Sequence, residues 1–299
     1  MKVLYWLESI RAPWLDAVML AISQLGGEIL FMAIVIALFW CMDKRKGYYL
    51  MTVGFFGIVS NQFLKLVFRV SRPWIRDPEF TIVEGARAGA TGYSFPSGHT
   101  QNAAAVLGCP ARMARKKGLK ITLWVLYALV GISRMYLGVH TPYDVGVGVV
   151  MGLVLVFGLY PFFSEKNYKP QRMYVLLGVM LALSIAFTTY TRLYPFPADI
   201  EVDNLSHGIK NGYTLTGAVA GMLAAFWLDE HYVHFQTAGS LPAHIVKCVV
   251  GLGLLLGIKT VLKPPMNALF GGDPIADAFR YAIVVFFAAG LWPMTFPWI

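Results

Sequence analysis

Charged residues are scarce in this chain, and their scarcity excludes most soluble folds. Asp, Glu, Lys and Arg make up 14% of the 299 residues, whereas hydrophobic residues make up 57%. A soluble domain of this length contains about 25% charged residues. The mean hydropathy of +0.60 agrees with this shortage. The sequence therefore predicts a protein with several membrane-spanning helices.

Cysteine is also rare, and its positions exclude two kinds of stabilising site. The three cysteines, Cys41, Cys109 and Cys248, are scattered through apolar segments. An odd number without regular spacing forms neither a disulfide framework nor a zinc site. We expect all three to be small buried side chains. No carboxylate cluster suited to a divalent cation is visible, so no metal and no cofactor are expected.

The net charge of +9 does not indicate nucleic-acid binding, because no basic face carries interleaved aromatic residues. The basic residues instead form short clusters at 44–46, 112–120 and 166–172. If the apolar segments cross the membrane in strict alternation, these clusters share one side, which is then cytoplasmic.

Apolar segments between these clusters predict the fold. They run approximately over residues 28–42, 47–68, 97–113, 119–138, 143–163, 173–191, 211–229, 244–262 and 275–292. Residues 6–25 mix charged residues with two tryptophans, a composition typical of an interfacial helix. The predicted fold is an all-α, polytopic membrane helix bundle of about nine transmembrane helices plus this N-terminal interfacial helix.

A first reactive block places three cations near the end of an apolar segment. Lys65, Arg69 and Arg72 occupy positions i, i+4 and i+7, one stripe of a helix that Pro73 is expected to end. Three cations on one stripe repel one another unless an anion neutralises them. The alternative is that their long side chains simply extend to the membrane interface.

The second block, Pro96-Ser97-Gly98-His99, opens the next apolar segment. Ser97 is suited to cap a helix, and Gly98 allows an anion close to the bare backbone. The free N–H groups at such a helix start attract anions. His99 lies in the first turn, where its ring can reach an oxygen of a bound phosphate.

The third block contains Arg134 at the end of a segment and His140 before the next one. Thr141 and Pro142 are suited to start a helix, which places Asp144 in its first turn. The Asp144 carboxylate could then accept the proton on Nδ1 of His140 and leave Nε2 free as a nucleophile. A purely structural His–Asp pair is the alternative.

Together the three blocks resemble the signature of the type-2 phosphatidic acid phosphatase superfamily. Its pattern is Lys, six residues, Arg-Pro; then Pro-Ser-Gly-His; then Ser-Arg, five residues, His, three residues, Asp. Every fixed position is filled here in that order, and the resemblance extends from about Leu25 to Phe163. The hydropathy favours the membrane branch over the soluble haloperoxidase branch. Residues 26–28 and 93–101 are also similar to bacterial relatives of sphingoid-phosphate phosphatases.

The resemblance implies a role for each matched residue. His140 would attack phosphorus and form a phosphohistidine, Asp144 would orient it, and His99 would protonate the leaving oxygen and then help to activate water. The implied phosphate-binding residues are Lys65, Arg72, Ser97, Gly98 and Arg134.

Other polar residues near the motifs have two interpretations each. Arg69, Arg76 and Tyr93 are candidate substrate contacts. For Arg76 and Tyr93, as for Arg87 in the same loop, a solvent-exposed loop residue is the alternative, and for Arg69 it is extension to the membrane interface. Glu28 either pairs with a motif cation or lies in the interface, and the sequence favours neither.

The implied function is hydrolysis of a lipid phosphomonoester or diphosphate at the non-cytoplasmic face of a bacterial inner membrane. Candidate substrates are undecaprenyl diphosphate, phosphatidylglycerol phosphate, phosphatidate and sphingoid phosphates. A phosphotransferase with an alcohol acceptor, or a transporter or scaffold that binds phosphate lipids, are the alternatives. Residues 1–168 are expected to form the phosphatase core and residues 169–299 additional transmembrane helices packed on it.

Overall fold

The computed structural model of the chain describes residues 1–198 and 200–299, and these ranges contain helices and no strand. The all-α class predicted from the sequence is therefore confirmed. The α-helices are α1 Lys2–Ser9, α2 Pro13–Gln24, α3 Glu28–Cys41, α4 Lys44–Phe68, α5 Pro73–Arg76, α6 Gly98–Ala103, α7 Cys109–Met113, α8 Lys117–Tyr136, α9 Pro142–Phe163, α10 Pro170–Leu193, α11 Val202–Leu228, α12 Leu241–Val261, α13 Lys263–Leu269 and α14 Ile275–Phe286.

Six helical stretches of the described residues are long and apolar enough to cross a membrane, and there are seven if α2 and α3, bent by 43° relative to each other, count as one span. The predicted number of about nine is not confirmed. The predicted segment 97–113 consists of α6, a π-helical turn at Ala104–Gly108 and α7, none of them long. The predicted segment 211–229 falls within α11, which carries Asn211, Thr214 and Thr216 among its apolar residues.

The N-terminal residues form two helices rather than one. Ala12 is extended, with φ −148° and ψ 147°, and Pro13 occupies the first turn of α2. Proline lacks an N–H group and drives the residue before it out of the helical conformation. The prediction of one interfacial helix over residues 6–25 is therefore wrong.

The end of α4 also differs from the prediction. The helix ends at Phe68, and Arg69 adopts a left-handed conformation with φ 48°. Arg72 is extended, as expected before a proline, and Pro73 begins α5 instead of ending α4. Lys65, Arg69 and Arg72 therefore do not share one helical stripe, and Arg72 lies in the irregular segment between α4 and α5.

Two compact units divide the chain, and the first comprises Met1–Val35 and Tyr49–Pro161. It contains the three motifs. An apolar core fixes the end of α8 and the residues that follow it; its members are Leu7, Ala86, Tyr136, Leu137 and Val139. Nε of Arg11 donates to the Tyr136 carbonyl at 3.1 Å, and the Tyr136 hydroxyl donates to Asp16 at 2.7 Å. This packing holds the backbone directly before His140.

The second unit comprises Ile36–Tyr48 and Phe162–Ile299. Within it, α11 and α14 pack closely at Gly217, where an added Cβ would lie 1.9 Å from the Ala278 carbonyl oxygen. Cys41 and Cys248 are only half-buried, with 3.6 Å between their sulfur atoms, so the expectation of full burial holds for Cys109 alone. The predicted domain boundary at residue 168 stays a prediction.

Candidate active site

One cavity of the first unit brings residues of all three motifs together. Its volume of about 90 Å³ is several times the roughly 10–15 Å³ that one water molecule requires. Five predicted site residues line it: Lys65, Arg72, Gly98, His99 and His140. The cavity therefore has room for a group of phosphate size between two cations, a helix start and two imidazoles.

Arg72 is held in place by three backbone carbonyl groups. Its Nε donates to Gly92 at 3.0 Å, Nη2 to Thr91 at 2.7 Å and Nη1 to Val139 at 2.9 Å. The side chain is buried, with 4% of its surface exposed. A guanidinium fixed by three acceptors is oriented before any ligand binds.

The same Nη1 atom lies 3.0 Å from Nε2 of His140. A guanidinium has donors and no acceptor, so the hydrogen bond requires a lone pair on Nε2. The proton of a neutral His140 must then be on Nδ1. The geometry selects the tautomer whose Nε2 can act as a nucleophile.

Asp144 lies next to Nδ1 of His140, but the contact is long. Oδ2 of Asp144 is 3.5 Å from Nδ1, which has no hydrogen-bond partner among residues 1–198 and 200–299. The same oxygen accepts from the Ser94 hydroxyl at 2.6 Å and from the Thr141 N–H at 2.7 Å. Asp144 therefore places a negative charge beside His140 while it caps the start of α9.

Burial and neighbouring cations act together on His140. Burial holds the pKa of His140 well below its usual value of 6.5, and the positive charges of Arg72, Arg134 and Lys65 lower it further. His140 lies between α8 and α9, outside both spanning helices. A neutral imidazole is accordingly the favoured form over the physiological range.

Lys65 lies beside the loop 91–93, which provides two of the three carbonyl groups that accept from Arg72. Its Nζ donates to the carbonyl oxygens of Tyr93 and, at 3.5 Å, Thr91. Gly92, between them, has φ +68°, a conformation that glycine adopts without strain. The loop 91–93 therefore shapes the cation-rich wall of the cavity.

Ser97 caps α6, as its sequence position predicts. Its hydroxyl oxygen accepts from the N–H of Thr100 at 3.5 Å and from the Thr100 hydroxyl at 2.9 Å. The Ser97 N–H donates to the Asp144 carbonyl at 3.0 Å. Ser97 does not line the cavity, whereas Gly98 and His99, the first two residues of α6, do.

Arg134 is buried with two nitrogen atoms unpaired. Nη1 donates to the Ser23 hydroxyl at 2.7 Å, whereas Nε and Nη2 have no partner in the described part of the chain. An unpaired buried guanidinium is costly unless an anion satisfies it. Arg134 does not line the cavity of this structure, so it is not brought onto its surface with Lys65 and Arg72.

The three candidate substrate contacts lie outside the cavity lining. Arg69 is half-buried and Arg76 exposed. The Tyr93 side chain is buried, and it is the Tyr93 carbonyl that contacts the motif residue Lys65. The structure thus separates these three residues from the five that line the cavity.

Comparison with known proteins decides the family. Residues 45–168 match the PAP2 superfamily, and residues 213–299 match the transmembrane extension of PAP2 superfamily phosphatases. The chain belongs to the PAP2 superfamily. The resemblance inferred from the three motifs is confirmed, and the chain is a phosphatase of this superfamily.

Named relatives of this PAP2 chain are lipid phosphatases. Phosphatidylglycerophosphatase B of Bacillus subtilis is 34% identical over 172 residues, which are 52% of this chain and 79% of that protein. Undecaprenyl-diphosphatase BcrC of the same organism is 28% identical over 152 residues, 50% of this chain and 75% of that protein. A dihydrosphingosine 1-phosphate phosphatase of Schizosaccharomyces pombe is 27% identical over 303 residues, 93% of this chain and 69% of that protein. No solved structure matches the chain.

Several cavity residues of the PAP2 site were missed by the sequence analysis. They are Asn61 and Gln62 on α4, Gln101 and Asn102 on α6, and Gly26 in the turn before α3. Polar amides within apolar segments are a signal that could have found the first four. Glu28, for which the sequence left two interpretations, also lines the cavity and makes no ion pair with any described residue.

No group of three or more His, Cys, Asp or Glu side chains lies close enough to hold a metal ion within residues 1–198 and 200–299. The charges that face the PAP2 cavity are instead those of fixed side chains. Lys65 and Arg72 provide the positive charge, and Glu28 provides a negative one.

Proposed function

We propose that this chain is an integral-membrane lipid phosphatase that cleaves phosphate from a membrane lipid through a phosphohistidine on His140. The observation that carries the proposal is the contact between Arg72 and Nε2 of His140 in a cavity that Lys65, Gly98 and His99 also line. In that contact the Nε2 lone pair accepts from Arg72 beside cations suited to a phosphate, and it becomes free for attack when a phosphoryl oxygen takes over the Arg72 hydrogen bond.

In the first step, Nε2 of His140 attacks phosphorus while the bond from phosphorus to the lipid oxygen breaks. Positive charge develops on the imidazole, and Asp144, with Oδ2 at 3.5 Å from Nδ1, stabilises it. Lys65, Arg72 and the N–H groups at the start of α6 hold the phosphoryl oxygens. Arg134, whose Nε and Nη2 are unpaired, joins them when the phosphate is bound.

Burial and the cations Arg134, Arg72 and Lys65 lower the pKa of His99 to about 3 in the free chain. The bound phosphate dianion offsets these charges, so His99 takes up a proton with the substrate and donates it to the departing lipid oxygen, and a neutral alcohol leaves. In the second step, water attacks the phosphohistidine and gives its proton to His99. The bond between phosphorus and Nε2 then breaks, which releases inorganic phosphate and restores both histidines.

The substrate class follows from the relatives and from the position of the motifs. The named relatives act on phosphatidylglycerophosphate, undecaprenyl diphosphate and a sphingoid phosphate. In this chain, Arg72 follows the end of α4, Arg134 lies at the end of α8, and His140 precedes α9. A lipid headgroup lies at such helix ends, and the lipid candidates, phosphatidate included, therefore share a suitable geometry.

The basic clusters support a sided arrangement in the membrane. Lys44–Lys46 and residues 112–120 lie at the opposite helix ends from the motifs along α4 and α8, and basic loops remain in the cytoplasm. We propose that the active site faces the non-cytoplasmic side of a bacterial inner membrane and that about nine spans complete the fold.

The decisive test is phosphate release by the purified full chain in detergent with added lipid. The panel contains undecaprenyl diphosphate, phosphatidylglycerol phosphate, phosphatidate, a sphingoid phosphate and a soluble sugar phosphate, with His140→Ala as the blank. We expect release from at least one lipid that exceeds release from the sugar phosphate. A faster reaction with the sugar phosphate would overturn the substrate class, and turnover that requires an added alcohol would indicate a phosphotransferase.

A further inference from the structure

A buried hydrogen-bond acceptor in the cavity has no partner among the residues that the structure describes. Gln101 has 3% of its surface exposed, and its Oε1 atom accepts no hydrogen bond, although the residue lines the cavity. An acceptor left unpaired in a buried site costs about 1–3 kcal/mol. The site is therefore incomplete without a hydrogen-bond donor at this position.

The orientation of the Gln101 amide is fixed by its neighbour Ser60. Nε2 of Gln101 lies 3.3 Å from the Ser60 hydroxyl oxygen. That hydroxyl directs its single proton to the carbonyls of Phe56, at 2.5 Å, and Gly57, at 3.1 Å. With that proton on the two carbonyls, Ser60 accepts from Gln101, and a flipped amide would place two acceptors against each other. This arrangement leaves Oε1 as the atom without a partner among the described residues.

A second acceptor with negative charge lines the same cavity. Glu28 begins α3, its side chain is exposed, and it forms no ion pair in the described parts of the chain. A carboxylate at this position repels a phosphate dianion, so it does not help to bind the phosphoryl group. Its charge suits a cationic part of the substrate.

From these two acceptors we infer that the cavity has a second subsite, formed by Glu28 and Gln101, for an ammonium group carried by the lipid close to its phosphate. An ammonium group has three donors and one positive charge. It can therefore donate a hydrogen bond to Oε1 of Gln101 and pair with Glu28 while the phosphate binds to Lys65 and Arg72. This inference rests on the proposed function and narrows its substrate class.

Among the candidate lipids, the sphingoid phosphates carry such a group. Their amine is on the carbon next to the one that bears the phosphate ester. Undecaprenyl diphosphate and phosphatidate have no amine. We therefore expect preference for an amino lipid phosphate, with Glu28 and Gln101 as the residues that determine it.

The test compares three lipids with equal chain length: sphinganine 1-phosphate, its N-acetyl derivative and octadecyl phosphate. The N-acetyl derivative keeps an N–H donor but loses the charge, and the alkyl phosphate lacks both. For the wild-type chain in detergent and lipid, we expect kcat/KM for the amine to exceed that for each of the others about tenfold, the size of one charge-assisted hydrogen bond.

Variants then locate the preference. Glu28→Gln and Gln101→Leu should each lower the ratio of kcat/KM for the amine to that for octadecyl phosphate at least fivefold. Glu79→Gln, a change of another exposed carboxylate in the first unit, should leave the ratio unchanged. Thermal unfolding in the same detergent checks that each variant is folded.

Each outcome separates this inference from the proposed function. Equal wild-type rates on the three lipids, or equal losses on all of them in both variants, would overturn the ammonium subsite while hydrolysis itself stands. In that case Gln101 binds a structural water. Failure of the wild-type chain to hydrolyse any lipid phosphate would overturn the proposed function first. If a variant does not fold, the wild-type comparison alone decides.

Discussion

Nη1 of Arg72 lies 3.0 Å from Nε2 of His140, and both side chains are buried. The contact joins the first and third motifs, which are 68 residues apart in the chain. One cation thus selects the tautomer of the proposed nucleophile and lies where a phosphoryl oxygen would bind. When a phosphate enters, Arg72 can transfer its hydrogen bond from nitrogen to oxygen and release the lone pair for attack.

His140→Ala and Asp144→Asn should both reduce kcat by about 100-fold or more, and the histidine change should be more severe. The first removes the nucleophile. The second removes only a charge, because the asparagine oxygen can still accept from Ser94 and Thr141, as Oδ2 does now.

Phosphate release measures the loss of turnover, and trapping of labelled phosphate after an alkaline quench, in which phosphohistidine is stable, measures the loss of the covalent intermediate. His207→Ala, which alters an exposed histidine of the second unit, is the control and should retain full activity. Equal trapping of label without His140 would show that another residue forms the covalent intermediate.

The pH dependence should reflect the lowered pKa of His140. The nucleophile must be neutral to react. Because burial first and then Arg72 disfavour the charged imidazole, kcat/KM should decline only at a pH well below 6.5. Arg72→Gln removes a nearby positive charge, so it should raise the pKa of His140 and shift the acid limb upward.

Profiles between about pH 5 and 8, corrected for ionisation of the substrate phosphate, test this shift. Lys120→Gln, which removes an exposed cation distant in sequence from the motifs, should leave the limb in place. A limb that moves downward in Arg72→Gln would contradict the electrostatic account.

The sequence predicted the helical class, and five of the eleven site residues that it named line one cavity of the structure. These residues could be identified because the motif spacing resembles a known family signature and because motif residues lie at helix starts and ends, where short patterns are informative. It could not predict the turn at Arg69, since left-handed backbone at an arginine has no compositional signal. Gln101 and Asn61 were missed because their significance arises from partners such as Ser60 and Pro96, which only the folded chain provides.

Activity should not require a divalent metal, because fixed cations already face the cavity. Excess EDTA should leave the initial rate unchanged. Vanadate should inhibit, since its five-coordinate form resembles the transition state of phosphoryl transfer. Loss of activity with EDTA that magnesium restores would count directly against the mechanism.

The sidedness of the active site can be tested by labelling. After Cys41, Cys109 and Cys248 are replaced by alanine or serine, the substitutions Glu79→Cys and Lys117→Cys provide single thiols at two exposed positions. An impermeant thiol reagent should label the first in intact cells, and the second only after permeabilisation. The reversed pattern would place the active site in the cytoplasm.

Gly217→Ala should destabilise the second unit by about 1–3 kcal/mol, because overpacking forces the backbone apart. The added Cβ would lie 1.9 Å from the Ala278 carbonyl oxygen of α14. Thermal unfolding in detergent measures the change. Gly253→Ala, where no atom lies within 4 Å of the added Cβ, is the matched control and should not lower the midpoint. Equal midpoints would mean that α11 and α14 are free to separate.

The turn before α3 lies against the start of α6. An added Cβ at Gly26 would lie 2.3 Å from the carbonyl oxygen of His99, and Glu28 follows two residues later. This turn lies outside residues 45–168 and 213–299, the two stretches that match the superfamily models. The residues proposed for chemistry and the turn that forms one wall of the cavity therefore lie in separate stretches of the sequence. If Glu28 contacts the headgroup as inferred, substitutions in the turn change which lipid is preferred without altering a motif residue, and lipid preference can diverge among descendants that retain one reaction.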